Sequence, residues 1–267
     1  MNLVLQIFKE QFNNLHLIFR LASFDIKSKY QLHYLGVLWQ FIQPLTQILI
    51  YWFVFGIGIR GGNPVGEVPY FLWLITGLIP WLYINPTVIQ GSNSVYSKIN
   101  LVSKMNFPVS ILPTITIIGN GFNFVIMTIV LLAILLMNGI NPGIYLIQLP
   151  YYILCIVALL FSITLLFSTI ATIVRDFQVM LQSVMRMMLY LTPILWETGS
   201  LPKLYDTILK LNPFYYIVAG FRNVFLGNGW FYNDLTYTIY FWLCIIFLLL
   251  IGSALHVKFK NKFVDYL

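Results

Sequence analysis

Charge is what this sequence has least of. Only 9% of its 267 residues are Asp, Glu, Lys or Arg, where a water-soluble globular domain carries roughly 25%. That shortage excludes an ordinary cytosolic enzyme and a disordered segment. Cysteine is nearly absent too. Cys155 and Cys244 both sit inside apolar runs, where they read as small hydrophobes and supply neither a disulfide framework nor a zinc site. The dipeptide Gly-Lys occurs nowhere, so the phosphate-cradling loop G-x-x-x-x-G-K-[ST] is missing. The three histidines, His16, His33 and His256, are scattered, and no paired carboxylates fall inside a long apolar run. A metal site, an acid–base site and a proton relay are therefore unsupported. The expectation is a chain that binds no metal or cofactor and draws its energy from another polypeptide.

Long apolar stretches are what the sequence does have. Apolar residues make up 60% of it, and its mean hydropathy is +0.85. Crossing the hydrocarbon layer takes about 20 mostly apolar residues in a helix. Six stretches meet that need: 37–59, 70–90, 109–137, 144–174, 177–196 and 235–255. They lack the alternation of a barrel strand, so helices are the expected element. An even number of crossings places both termini on one side. If that side is the cytoplasm, ten basic residues lie inside: Lys9, Arg20, Lys27, Lys29, Lys98, Lys104, Arg175, Lys258, Lys260 and Lys262. Four lie outside: Arg60, Lys203, Lys210 and Arg222. The positive-inside rule then predicts cytoplasmic termini in a multi-pass protein of the cell membrane. The net charge of +7 fits that orientation and contact with anionic membrane lipid rather than nucleic acid.

The chain divides into a cytoplasmic interfacial segment 1–34, a transmembrane region 35–256 and a basic cytoplasmic tail 257–267. In the first segment Leu5, Phe8, Phe12, Leu15, Phe19, Ala22 and Ile26 recur every three or four residues. This spacing predicts an amphipathic helix lying along the membrane surface, as a plain anchor or as a lever against a cytoplasmic partner. Residues 97–107 form a short polar link on the cytoplasmic side. Residues 198–230 are too long for a turn. Within them Asn212-Pro213 reads as an N-cap with Pro at the first helical position, and the apolar run that follows is too short to cross, so a re-entrant hairpin on the outer face is expected.

Arg186 is the one charge well inside a predicted span. Facing lipid would cost at least about 2.5 kcal/mol, so the side chain is expected to face protein or a wet cavity. Arg175-Asp176 marks the cytoplasmic turn before the fifth span, with Asp176 as the expected N-cap. Aromatics make up 17% of the chain. They cluster around Tyr51, Trp52 and Phe55, around Trp81 and Tyr83, and around Phe214 and Tyr215. Packing and interfacial belts explain such clusters, and so does an aromatic-lined passage for sugar rings or isoprenoid chains.

Several segments together resemble one family. Tyr34-Leu35-Gly36-Val37-Leu38-Trp39-Gln40, Pro44 and Tyr51-Trp52-Phe53-Val54-Phe55-Gly56 resemble the opening of the ABC-2-type polysaccharide export permeases. Val102-Ser103-Lys104-Met105-Asn106-Phe107-Pro108 resembles that family's cytoplasmic coupling segment. Arg175-Asp176, Thr192-Pro193-Ile194-Leu195-Trp196 and Asn212-Pro213 follow in the family's order. Residues 51–60 and 254–267 are most similar to the wall teichoic acid translocation permeases of Gram-positive bacteria.

The resemblance implies an all-α integral membrane fold of six spans. It also implies a homodimer, joined by two copies of a separate ABC ATP-binding subunit that holds ATP and Mg. Contacts to that subunit would come from Ser97, Lys98, Ile99, Asn100, Leu101, Val102 and Lys104. The implied cargo is a lipid-linked anionic polymer, wall teichoic acid on undecaprenyl diphosphate, with O-antigen, capsule or another lipid-linked polysaccharide as the alternative. Arg186, Tyr51, Trp52, Phe55, Trp81, Tyr83, Phe214 and Tyr215 are the candidate passage residues. Charge complementarity would add Lys203, Lys210 and Arg222 as outer phosphate contacts. A membrane transferase acting on lipid-linked sugars and a purely structural membrane protein are the rivals from other classes.

Overall fold

The computed structural model of the chain describes residues 2–30, 34–98, 107–199, 202–260 and 263. The described residues are almost entirely helical. Five segments are long and apolar enough to cross a membrane: Trp39–Ile59, Tyr70–Ser92, Ile111–Met137, Gly143–Ile173 and Phe231–Phe259.

The N-terminal segment is two helices rather than one. α1 (Asn2–Asn13) and α2 (Leu15–Tyr30) meet at Asn14, whose side-chain amide donates to the Glu10 carbonyl at 2.8 Å. An amide that bonds the preceding turn competes with the helical ladder, which explains a break at this residue. The apolar stripe read from the sequence mostly points outward: Phe12 is 69% exposed and Phe19 57%. The protein-facing side carries Ile7, Gln11 and Ile18 instead, joined by Ala22, the member of the stripe that is buried. In a membrane chain the outward phenyl groups are a surface for lipid.

The polar contacts of α1 gather at one point. The Gln11 amide donates to the Ser110 carbonyl at 2.8 Å, and the Ser110 hydroxyl donates to Glu10 Oε2 at 2.6 Å. Lys260 Nζ donates to Glu10 Oε1 at 3.2 Å. Burial alone would raise the Glu10 pKa, but the Ser110 hydrogen bond and the Lys260 hydrogen bond and charge outweigh it and hold the carboxyl below its ordinary value.

The first span begins as α3 (Trp39–Tyr51) and continues without interruption as a π-helix over Trp52–Ile59. α4 (Tyr70–Ser92) follows, then the single turn α5 (Ser94–Ser97), α6 (Ile111–Met137) and α7 (Leu149–Ile173). α4 is the centre of the bundle, surrounded by α6, α7 and the later helix Pro213–Leu226. Apolar burial drives little between helices that already sit in lipid, so close packing must hold them. Gly220 shows how close: a Cβ there would overlap the Tyr152 ring of α7.

α8 (Asp176–Leu191) has 16 residues, a length of about 24 Å. It is shorter than the expected 177–196 because Thr192 is extended, with ψ 129°. A residue before proline is pushed out of the helical region, and Pro193 comes next. The N-cap position of α8 is Arg175, and Asp176 is the first helical residue, one place later than expected. There the carboxylate complements the partial positive charge of the helix N-terminus without accepting a capping hydrogen bond.

α9 (Lys203–Lys210) and α10 (Pro213–Leu226) form the helical pair within 198–230, of which residues 200 and 201 lie outside the described residues. The Asn212 side chain caps α10, accepting from the Phe214 amide at 3.0 Å, with Pro213 in the first turn as its missing N–H allows. α9 buries none of its residues, while α10 is sunk against α4 and α7. α11 (Leu235–Phe259) completes the chain and packs along α7.

Candidate functional site

Four helices leave a cavity of about 530 Å3 between them. Each contributes a stripe at helical spacing. α3 presents Gln40, Gln43, Gln47 and Tyr51, positions three to four residues apart and so on one face. α4 presents Trp81, Tyr83, Asn85 and Gln90. α6 adds Asn120, Asn123, Phe124 and Met127, and α8 adds Met185, Arg186, Leu189 and Tyr190. The wall therefore combines carboxamides with aromatic faces. Among the described lining residues Arg186 is the only charged side chain.

Several wall groups are committed to the scaffold. The Tyr83 hydroxyl donates to the Ile117 carbonyl at 3.0 Å, and its ring stacks on Phe124 with centroids 4.7 Å apart. Trp81 meets Phe214 edge to face at 5.8 Å. The Asn120 amide nitrogen donates to Thr87 Oγ1 and Gln90 Oε1, at 3.2 and 3.1 Å. Arg186 turns Nε toward the Gln182 carbonyl and a terminal nitrogen toward Ser183 Oγ, both at 3.3 Å. Two carbonyl oxygens of the wall, Gln40 Oε1 and Asn85 Oδ1, are buried without a donor.

A second cavity of about 250 Å3 adjoins the first. Gln40, Gln90, Asn120 and Asn123 line both. Its far side is closed by Asp25 of α2 and by Ser94, Ser97 and Lys98 around α5. Lys98 Nζ pairs with the Asp25 carboxylate. A polar tract thus runs from the middle of the bundle to the start of the 97–107 segment. Arg175 lies over the Tyr96 ring, 5.3 Å from its centroid, and ties the α7–α8 turn to the same place.

The sequence matches the ABC-2 type transporter family over residues 16–226, most of the chain and all four cavity walls. The chain belongs to the ABC-2 type transporter family. Among similar proteins is the O-antigen export system permease protein RfbA of Klebsiella pneumoniae, 28% identical over 246 residues, which are 91% of this chain and 92% of that protein. The protein of the same name from Myxococcus xanthus is 24% identical over 224 residues, 83% of this chain and 85% of that one. Membership of a transporter family speaks against the transferase and purely structural readings.

In this ABC-2 chain the structure brings Tyr51, Trp81, Tyr83 and Arg186 to one cavity. It places the other candidates elsewhere. Trp52 meets Phe71 edge to face at 5.8 Å, and Phe55 packs partly buried against the core. Phe214 stands behind Trp81 rather than beside it. Tyr215 lines a separate cavity of about 290 Å3 near the ends of α8 and α10, with Trp73, Trp196 and Arg222. Of the coupling contacts, Ser97 and Lys98 are described; Ile99, Asn100, Leu101, Val102 and Lys104 lie outside the described residues.

Arg222 is not the open phosphate contact that its loop position suggested. Its guanidinium lies 3.5 Å from the centroid of the Trp73 ring and donates to the carbonyls of Pro193 and Ile194. Gly77 leaves the room for it: a Cβ there would come within 2.6 Å of an Arg222 nitrogen. Pro193 and Ile194 follow the premature end of α8, so their carbonyls need partners, and Arg222 supplies them. Lys210 is likewise engaged, with Asp206 one turn back at 2.9 Å.

The carboxamide stripes are the part of the site that lies outside the sequence candidates, which are aromatics and one charge. The signal was present: three glutamines at 40, 43 and 47 share a helical face inside an uncharged run, and Asn120 and Asn123 repeat the pattern.

Proposed function

We propose that this chain is the membrane permease of an ATP-driven exporter, and that it moves a lipid-linked polysaccharide from the inner to the outer face of the cell membrane. The observation that carries the reading is the carboxamide-and-aromatic cavity, set among apolar helices and continuous with the polar tract to Lys98. Carboxamides exchange hydrogen bonds with hydroxyl groups, and aromatic faces pack against the apolar faces of sugar rings. The two curated relatives are named for O-antigen export, which favours a polysaccharide of that kind. A poly(alditol phosphate) cargo is the second reading, favoured by the similarity of residues 51–60 and 254–267 to teichoic acid permeases.

A separate ATP-binding subunit is proposed to dock on residues 97–107. Its closure on ATP would push Lys98 and, through Asp25, the interfacial helix α2. Six crossings with both termini cytoplasmic belong to this reading, with α8 as the shortest crossing and the α9–α10 pair dipping in from the outer face. So does a second copy of the chain. α3 supports it, because little of the Trp39–Ile59 segment is buried, and Phe41, Leu45, Leu49 and Phe53 are exposed along it.

The test is co-purification with the cognate ATP-binding protein, followed by ATP turnover in proteoliposomes with and without a lipid-linked polysaccharide. The expected result is a stable complex whose turnover rises with cargo. Transport of cargo by the lone chain without nucleotide would overturn the reading.

A further inference from the structure

The two N-terminal helices sort their charges by side. Both acids of α1 and α2 turn toward the bundle. Glu10 accepts from Ser110 and Lys260, and Asp25 pairs with Lys98. The cations turn the other way. Lys9, Arg20 and Lys27 are exposed, and none of them joins an ion pair among the described residues.

Their positions follow a rule. Phe8-Lys9, Leu15-His16, Phe19-Arg20 and Ile26-Lys27 each place a basic residue directly after an apolar member of the stripe. Sequence neighbours stand about 100° apart around a helix, so the basic side chains form a rim along one edge of that stripe. The stripe itself stays largely uncovered, with Phe12 and Phe19 its most exposed rings. A phenyl ridge with a cationic rim matches the surface of an anionic leaflet. The rings seat among the upper acyl chains, and the ammonium and guanidinium groups reach the height of the headgroup phosphates. The pattern continues past the break at Asn14, so it tracks a surface rather than a socket. Asp25 lies two residues before Lys27, so a leaflet that seats the rim also sets the Asp25–Lys98 pair at the start of segment 97–107.

We infer that this rim reads the anionic headgroups of the cytoplasmic leaflet, that such lipid seats α1 and α2 on the membrane, and that their seating sustains the coupling of the exporter. The last step rests on the export reading; the seating does not.

The experiment places the full chain in nanodiscs of phosphatidylcholine, or of a three-to-one mixture of phosphatidylcholine and phosphatidylglycerol. A soluble protease then attacks the Asn14 junction. Cleavage is expected to be about tenfold slower with the anionic lipid. Salt at ~1 M, where the Debye length is about 3 Å, should remove most of that difference. In the variant carrying Lys9→Gln, Arg20→Gln and Lys27→Gln, the rates in the two lipids should agree within about twofold. Phe12→Ser with Phe19→Ser should speed cleavage in both lipids and keep their ratio. Equal rates in the unaltered chain, or a lipid ratio that survives in the triple variant, overturn the inference. Equal protection by the ATP-binding subunit in phosphatidylcholine alone overturns it too and assigns the rim to that protein. With that subunit and cargo present, ATP turnover should rise about threefold or more on adding phosphatidylglycerol, and the triple variant should not respond. Turnover indifferent to lipid overturns the step from seating to coupling. Turnover indifferent to cargo in both lipids overturns the export reading, and the cleavage rates still decide the seating.

Discussion

Arg222 shows how one side chain can hold an irregular turn together. The residue before Pro193 cannot continue α8, so the chain leaves the helix with carbonyls unspent. Arg222 takes two of them while its planar face rests on Trp73. Lysine has one compact ammonium and no planar face, so it cannot repeat this arrangement. Arg222→Lys is therefore expected to destabilise the protein by about 1–3 kcal/mol. The check is thermal unfolding of the detergent-solubilised protein, where the midpoint should fall. An unchanged midpoint would mean that the two carbonyls find other partners.

At the scale of elements, two small polar contacts join the N-terminal helices to the bundle beside the apolar packing of Ile7, Ile18 and Ala22. Glu10 joins α1 to the start of α6 and the end of α11. Its folded pKa lies below the ordinary 4.5, so its contribution is fully present above that value and is lost as pH falls through the lowered one. Protease cleavage at the Asn14 junction should therefore accelerate on acidification in the native protein. In Glu10→Gln it should already be fast at neutral pH and should change little. Asp25–Lys98 is the other contact, joining α2 to the edge of the segment 97–107 proposed to dock the ATP-binding subunit. Its side chains are 41% and 24% exposed, so the pair is worth at most about 1 kcal/mol of stability. Its expected weight is in coupling. Asp25→Lys should cut cargo-stimulated ATP turnover with little change in melting, and adding Lys98→Asp should restore it. Failure of the double reversal would separate the pair from the power stroke.

At the scale of the whole molecule, the proposed arrangement of six crossings with cytoplasmic termini predicts a sidedness. Single cysteines introduced at Lys27 and Lys258 should react with an impermeant thiol reagent only in inside-out vesicles, and one at Lys203 only in intact cells. Reaction of all three from one side would remove the arrangement. Five of the six expected stretches are helices long and apolar enough to cross a membrane, and these were legible in the sequence because a bilayer imposes its length and apolarity on each crossing residue by residue. The cap at Asn212-Pro213 was legible for a similar reason, since the signal and the structure are the same few residues. The break at Asn14 was not, because it depends on one side-chain amide choosing the preceding turn. Nor was the role of Arg222, which needs Trp73, Gly77 and the 193–194 carbonyls to meet from distant parts of the chain. The cavity fell between these cases: its stripes were visible helix by helix, but only the packing of α3, α4, α6 and α8 turned them toward each other.

The wide winding at Trp52–Ile59 has a consequence for how the first span ends. A π-turn uses more residues per revolution than an α-turn, so the same eight residues occupy a shorter, fatter cylinder. Arg60 sits at its rim, held to Glu197 at 2.7 Å and poised over Tyr70. Shedding one residue from that winding would swing everything beyond it by about 100°, the step of a single helical residue. Arg60 would then leave Glu197 while α3 kept its place, as a bolt turns without the door being moved.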